Sequence, residues 1–205
     1  MVTEDFTPVA LLVFVIRTYL GIFLLTSAIG KLRNLPQFTQ GTIDYRVLPP
    51  RFARLFALCL PWVELMVAMA LLLGIALPVA AAATALMLLS FIVALTINLQ
   101  RGRVLDCNCH GIAGNKMISW GTVARNIWLL LLSIVLITGA PLVLTADAWW
   151  IFWQQEWYML TAIPLTILTL LLIACCYIVT QLIEWLIDIE IRTIQLRDKT
   201  SSGYR

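Results

Sequence analysis

The chain has little charge for its length. Asp, Glu, Lys and Arg make up 12% of its 205 residues, whereas ordinary soluble domains contain about 25%. This shortage excludes a soluble fold. Basic residues are also missing near the start, where Glu4 and Asp5 stand instead, so a cleaved signal peptide is not predicted. In place of charge the chain has 61% hydrophobic residues and a mean hydropathy of +0.94.

Five long apolar runs dominate the sequence, and each is long enough to cross a hydrocarbon core of about 30 Å as a helix. They are Val9 to Leu32, Phe52 to Leu77, Pro78 to Leu99, Ile118 to Leu142, and Tyr158 to Ile183. Only Gly74 to Pro78 separates the second helix from the third, which predicts a tight turn between them. We predict an all-α, polytopic membrane bundle of about five transmembrane helices. Residues 1–142 form a four-helix domain in this prediction, and residues 143–205 add an outer segment, the fifth helix and an amphipathic tail.

Basic residues predict the orientation of this bundle. In a five-span arrangement, 13 of the 14 Lys and Arg residues fall on one side, and Arg17 lies within a span. By the positive-inside rule this side is cytoplasmic, together with the C-terminus, and the N-terminus is outside. The outer segment before the fifth helix is rich in tryptophan, which is typical of anchoring at a membrane interface.

Two charged residues, Arg17 and Glu64, are assigned to the interior of predicted spans. Three others inside the apolar runs are counted with the basic residues that flank the loops: Lys31, Arg54 and Arg125. Such residues are costly in lipid and normally face a partner inside the bundle. Arg17 is eight residues from the outer end of its run and Glu64 twelve from the inner end of its own, which places the two at a similar depth in a core of about 30 Å. We predict an Arg17–Glu64 pair, which either locks two helices together or helps to orient a redox cofactor or relay a proton.

A short polar loop between the third and fourth spans holds the most reactive residues, Cys107 and Cys109. Two cysteines this close form a small ring when they are bonded, and strain in such a ring favours an exchangeable disulfide. Neighbouring charges would tune the thiols, since basic groups stabilise a thiolate and acidic groups oppose it. The residues predicted to do so are Arg101, Arg103, Asp106 and His110.

Two other interpretations of this loop are weaker. A zinc site could use Cys107, Cys109 and His110, but a structural site needs four ligands and the sequence offers no further polar Cys or His. No metal site is therefore predicted without a partner or a second copy. Two ordinary loop cysteines are disfavoured because exposed free thiols are a liability. Thiol–disulfide exchange is the preferred chemistry, with Cys107 and Cys109 as the catalytic pair.

A set of short motifs in a fixed order then indicates a family. They are Arg17, Leu20-Gly21, Gly30-Lys31-Leu32, Tyr45-Arg46-Val47-Leu48-Pro49, Leu60-Pro61-Trp62-Val63-Glu64-Leu65, Leu71-Leu72-Leu73-Gly74, Arg101-Gly102-Arg103, Asp106-Cys107-Asn108-Cys109-His110-Gly111 and Arg125-Asn126. Over roughly residues 9 to 140 the chain resembles the methylamine utilisation protein MauE family, within the wider DoxX-like group. Asn108 and His110 replace the Gly and Phe that are typical of the family loop.

This resemblance implies a bacterial inner-membrane protein that assists disulfide formation or maturation of an exported protein, together with a thioredoxin-like partner. A quinone held in the bundle is a candidate cofactor, and no nucleic acid is expected as a partner. The alternative function is a non-catalytic accessory or assembly subunit of a larger membrane complex; a small-molecule transporter is a third, weaker one. The predicted cytoplasmic side of Cys107 and Cys109 conflicts with oxidation of an exported protein, and the sequence leaves this conflict open.

Overall fold

The computed structural model of the chain describes residues 8–102, 119–139 and 159–202. This part of the chain contains six helices and no β-strand. They are α1 (Pro8–Arg33), α2 (Leu35–Asp44), α3 (Pro50–Leu73), α4 (Leu77–Gln100), α5 (Trp120–Gly139) and α6 (Met159–Ser202). The predicted all-α class is confirmed.

Five of these helices, all except α2, are long and apolar enough to span a membrane, as predicted. In α6 an apolar stretch long enough to span a membrane covers Leu170–Glu190. The helix then continues without a break to Ser202, and its 44 residues correspond to about 66 Å. It is therefore much longer than a bilayer core, in agreement with the predicted extension beyond the membrane.

The short helix α2 was not predicted. It has ten residues and starts with Pro36 in its first turn, a position that suits proline because the missing N–H has no helical partner there. Its buried side chain is Phe38, which packs in one cluster with Ala57 and Leu60 of α3. Its mixed, partly polar sequence has a lower hydropathy than a membrane span. Hydropathy alone therefore does not distinguish it from a loop.

A tight turn joins α3 to α4, as the sequence predicted. Gly74 ends α3 in the left-handed conformation, with a φ of 75°, and Ile75 donates its N–H to the carbonyl of Ala70. This is the pattern of a Schellman motif, in which glycine avoids the strain of a positive φ. Pro78 lies in the first turn of α4. The two helices are therefore antiparallel neighbours.

The remaining contacts complete an antiparallel bundle. Helix α1 packs against α3, α4 against α5, and α6 against both α5 and α1. Small residues allow α4 and α5 to approach closely: Ala81 is fully buried, and its carbonyl oxygen accepts a hydrogen bond of 2.8 Å from Ser133. The C-termini of α1 and α4 and the N-termini of α3 and α5 share one end, which we call the loop end.

Candidate functional site

The cysteine loop connects α4 and α5 at the loop end. Cys107 and Cys109, with Arg103, Asp106 and His110, lie outside the described residues, so the predicted chemistry of the pair remains a prediction. The structure does describe both places where this segment joins the bundle. One is Arg101-Gly102 after α4, and the other is Ser119-Trp120 before α5.

At the α4 side, Arg101 is the described member of the residues predicted to tune the thiols. Its guanidinium lies at the protein surface, and Nη1 approaches the carbonyl oxygen of Arg46 at 3.4 Å. Gly102 follows with a φ of 64°, a conformation that glycine adopts without strain. The chain therefore leaves α4 in a turn, close to the segment that connects α2 and α3.

At the α5 side, two backbone donors of the first helical turn are paired with side chains. Ser119 caps the helix, since its hydroxyl accepts a hydrogen bond of 3.2 Å from the Thr122 N–H. The Gly121 N–H donates to Oδ1 of Asp188 on α6 at 3.1 Å. A carboxylate near a helix N-terminus is also favoured by the helix dipole. The start of α5 is thus held by Ser119, directly before it in the chain, and by Asp188 of the neighbouring helix α6.

A buried ion pair joins α1 and α3 below the loop end. Nζ of Lys31 lies 2.7 Å from Oε1 of Glu64 and also contacts Oε2, and both side chains are almost fully buried. The third Lys31 donor bonds the Ser27 hydroxyl at 3.0 Å. The ammonium also lies over the rings of Phe38 and Phe91, at 5.6 and 4.9 Å from their centroids. Every proton of the ammonium is directed to an acceptor.

This arrangement differs from the predicted Arg17–Glu64 pair. Gly21 of α1 faces Leu72 of α3, since a Cβ at Gly21 would lie 2.8 Å from the Leu72 side chain. Arg17 is four residues further toward the N-terminus, and Glu64 is eight residues before Leu72, so the two charges lie about 18 Å apart along the helix axes. Arg17 instead stacks over Phe14 at 5.0 Å. The prediction failed because it assumed that both apolar runs cross the membrane at the same level, and because it counted Lys31 with the residues that flank the first loop. In the observed register the last turns of α1, which continues to Arg33, lie beside Glu64.

A second buried ion pair, which the sequence interpretation missed, joins α5 and α6. Nη1 of Arg125 lies 3.2 Å from Oε2 of Glu184, and each side chain is 1% exposed. Oε1 of Glu184 lies 3.4 Å from the Thr122 hydroxyl, and the guanidinium stacks over Phe23 at 5.6 Å. The sequence did contain a signal, because Arg125 and Glu184 both lie inside or beside long apolar runs, where an unpaired charge is costly.

The other cysteines and acidic groups form no second candidate centre in the described ranges. Cys59, Cys175 and Cys176 are free thiols on membrane helices. No group of three or more His, Cys, Asp or Glu residues that could hold a metal is found in this part of the chain. The candidate site is therefore the cysteine loop with the two surfaces that hold its ends.

Comparison with known proteins identifies the family. The family model described as methylamine utilisation protein MauE matches residues 9–139. The chain belongs to the MauE family. The match includes the cysteine loop, the Lys31–Glu64 pair and Arg125, but not α6. It confirms the resemblance that the motifs indicated.

Individual MauE proteins are similar over much of this region. The Paracoccus denitrificans protein is 37% identical over 145 residues, which cover 70% of this chain and 77% of the relative. The Methylorubrum extorquens protein is 36% identical over 112 residues, covering 54% of this chain and 60% of the relative. Both are named as methylamine utilization proteins. No solved structure matches the chain.

Proposed function

We propose that this MauE-family membrane protein is a thiol–disulfide redox protein whose Cys107 and Cys109 exchange with a thioredoxin-like partner. In this proposal it assists disulfide formation or maturation of an exported protein. Since the named relatives are methylamine utilization proteins, we further propose that the substrate belongs to that system. We place the protein in a bacterial inner membrane. The basic residues favour a cytoplasmic loop end, and on that side the maturation of an exported protein also needs a redox carrier that crosses the membrane.

The observation that carries the proposal is the position of the Cys-X-Cys segment. It is the polar connection between two packed membrane helices, and both of its described ends are held by hydrogen bonds, from Arg101 on one side and to Ser119 and Asp188 on the other. Reactive residues are commonly carried by loops on rigid scaffolds. A short, strained disulfide in such a loop favours exchange over a structural role.

The exchange needs no further reactant. A partner thiolate attacks one sulfur of the Cys107–Cys109 disulfide, and the other sulfur leaves as a thiolate, which gives a mixed disulfide. The second partner thiolate then attacks the partner's own sulfur in that bond. The partner becomes oxidised, and two electrons and two protons end on the cysteine pair. With a reduced pair and an oxidised partner, the same steps run in reverse.

A quinone site built from Arg17 and Glu64 does not fit the described geometry. Both carboxylate oxygens of Glu64 contact Lys31, and Arg17 lies about 18 Å away along the helices. The proposed exchange therefore does not include a quinone.

Trapping of the mixed disulfide tests the proposal. A thioredoxin-like partner whose second cysteine is replaced by serine should accumulate as a disulfide-linked complex with the wild-type chain. The Cys107→Ser/Cys109→Ser variant should lose this complex, because no loop sulfur remains. The Cys59→Ser variant is the control, since Cys59 lies on the exposed surface of α3, and it should trap as much partner as the wild type.

An unchanged yield of complex in the double variant would contradict the redox proposal. If that variant also supported full maturation of the substrate, the accessory-subunit function would be the better explanation. The two outcomes can be separated in one set of cells by measuring the trapped complex and the mature substrate together.

A further inference from the structure

Four exposed arginines lie at the loop end, around the link between α2 and α3. They are Arg46 in the link, Arg51 and Arg54 in the first turns of α3, and Arg101 directly after α4. Nη1 of Arg101 approaches the carbonyl oxygen of Arg46 at 3.4 Å. Arg51 and Arg54 are three residues apart on a helix and are therefore neighbours on its surface. The chain between Arg46 and Arg51 separates them by at most about 18 Å. We call these four residues the arginine patch.

The arginine patch does not stabilise the fold by ion pairing. Both ion pairs that are found in the described residues lie inside the bundle and include none of the four arginines. Arg46 has a φ of 47°, a left-handed conformation that is unfavourable for a residue with a Cβ. Arg51 lies in the first turn of α3, which contains no acidic residue and where the helix dipole disfavours a cation. The positive charge of the patch is therefore available to an external anion.

Large apolar side chains are exposed beside these arginines. Val47 and Leu48 in the link are 40% and 44% exposed, and Phe52 and Leu55 at the start of α3 are 65% and 60% exposed. Exposed apolar area of this kind, next to charged groups, marks a surface that meets a membrane or another molecule. The surface thus offers cations and apolar contacts together.

The patch lies at the level where two membrane spans end. One span covers Pro50–Leu73 and the other Leu77–Gln100, so Arg51 stands at the start of the first and Arg101 directly after the second. Arg54 is one turn inside its span, but its long side chain leans toward the N-terminus of α3 and brings the guanidinium to the same level. Lipid headgroups occupy this level of a bilayer.

We propose that the arginine patch binds the headgroup of an anionic phospholipid. A guanidinium group binds a phosphate through two parallel hydrogen bonds, and the exposed apolar side chains beside the patch contact the acyl chains of the same lipid. A zwitterionic phospholipid is a poorer ligand, because its own cationic group is repelled by the four arginines. This inference is independent of the cysteine chemistry proposed above.

Lipid titration of the purified full-length chain, followed by native mass spectrometry, tests the proposal. The wild type should bind phosphatidylglycerol more tightly than phosphatidylcholine with the same acyl chains. Each arginine near a membrane surface contributes about fivefold to the binding of anionic lipid, so Arg51→Gln/Arg54→Gln should weaken the binding of phosphatidylglycerol about 25-fold. Binding of phosphatidylcholine should not change. Arg51→Lys/Arg54→Lys should keep most of the affinity, because the charge remains.

The matched control is Arg33→Gln, which removes one exposed positive charge at the end of α1, outside the patch. It should bind phosphatidylglycerol as the wild type does. Arg51→Gln alone should lose about fivefold, and an equal loss in Arg33→Gln would overturn the proposal, since total charge and not the patch would then set the affinity.

Two further results would also overturn it. One is an equal affinity of the wild type for the two lipids. The other is displacement of bound phosphatidylglycerol by a polyglutamate peptide at equimolar concentration, which would assign the patch to an acidic protein partner. If Arg51→Gln/Arg54→Gln does not fold, Arg46→Gln/Arg101→Gln removes the other half of the patch and should weaken the binding of phosphatidylglycerol by a similar factor. In the wild type, added salt should weaken the binding of phosphatidylglycerol more than that of phosphatidylcholine.

Discussion

The two buried ion pairs of this bundle have similar chemistry but different surroundings. Lys31 and Glu64 lie between α1 and α3, with one aromatic ring each from α2 and α4 over the ammonium. Arg125 and Glu184 connect α5 to α6. The first pair is therefore enclosed by four helices of the family region, whereas the second attaches a helix that lies beyond it.

This difference predicts different costs of disruption. The charges of the first pair can regain water only if the helices that enclose them separate. Glu184 belongs to a single helix that packs on α5 and α1, so the second pair is lost when α6 alone separates from the bundle. The free-energy cost of breaking the second pair therefore cannot exceed the free energy that holds α6 in place. No such limit applies to the first pair.

The largest expected effect comes from Lys31→Met. This change keeps a long side chain but leaves the buried Glu64 carboxylate without its cation, and breaking a buried pair costs about 3 to 5 kcal/mol. The free energy of unfolding, measured by titration with SDS in mixed micelles, should fall by that amount.

The matched double variant Lys31→Met/Glu64→Met sharpens this prediction. With both charges gone, the site is apolar and of similar volume, and such replacements are often neutral. The double variant should be more stable than Lys31→Met alone. A double variant that is as unstable as the single one would mean that the residues act by shape and not as a charge pair.

A smaller loss is expected from Glu184→Ala, at about 2 kcal/mol, the range of a hydrogen bond to a charged group. The loss should also be local. A disulfide cross-link between cysteines introduced in α5 and α6 should form more slowly, whereas one between α1 and α3 should form at the wild-type rate. If both cross-links slow equally, the two pairs belong to one cooperative unit, and the second pair is not lost independently of the first.

The sequence predicted the spans better than their pairing, and the reason is physical. Hydropathy over about 20 residues is sufficient to find a membrane helix, and a glycine followed by proline marked the α3–α4 turn correctly. Pairing depends on the helix ends to within one turn. Lys31 was counted with the residues that flank a loop, although the first apolar run extended to Leu32, so it was not considered as a partner of Glu64. Its side chain also reaches back along the helix toward Ser27, which residue counting does not capture.

The Arg125–Glu184 pair was missed for a related reason. Arg125 was counted among the basic residues that flank a loop, and Glu184 among the charges of a tail. Both side chains were therefore expected to be exposed to solvent. Their burial became evident only from the packing of α6 beside α5. Short α2 escaped prediction because no hydropathy signal separates a ten-residue surface helix from a polar loop.

The smallest expected effect concerns the aromatic rings around Lys31. Phe91→Leu keeps an apolar side chain but removes the ring face at 4.9 Å from the ammonium, and a cation–π contact contributes about 1 kcal/mol in such a site. The SDS titration should show this loss, and Phe52→Leu, at a position that is 65% exposed, should show almost none. In the Lys31→Met/Glu64→Met background the loss at Phe91 should shrink, because no cation remains. An equal loss in both backgrounds would assign Phe91 to packing alone.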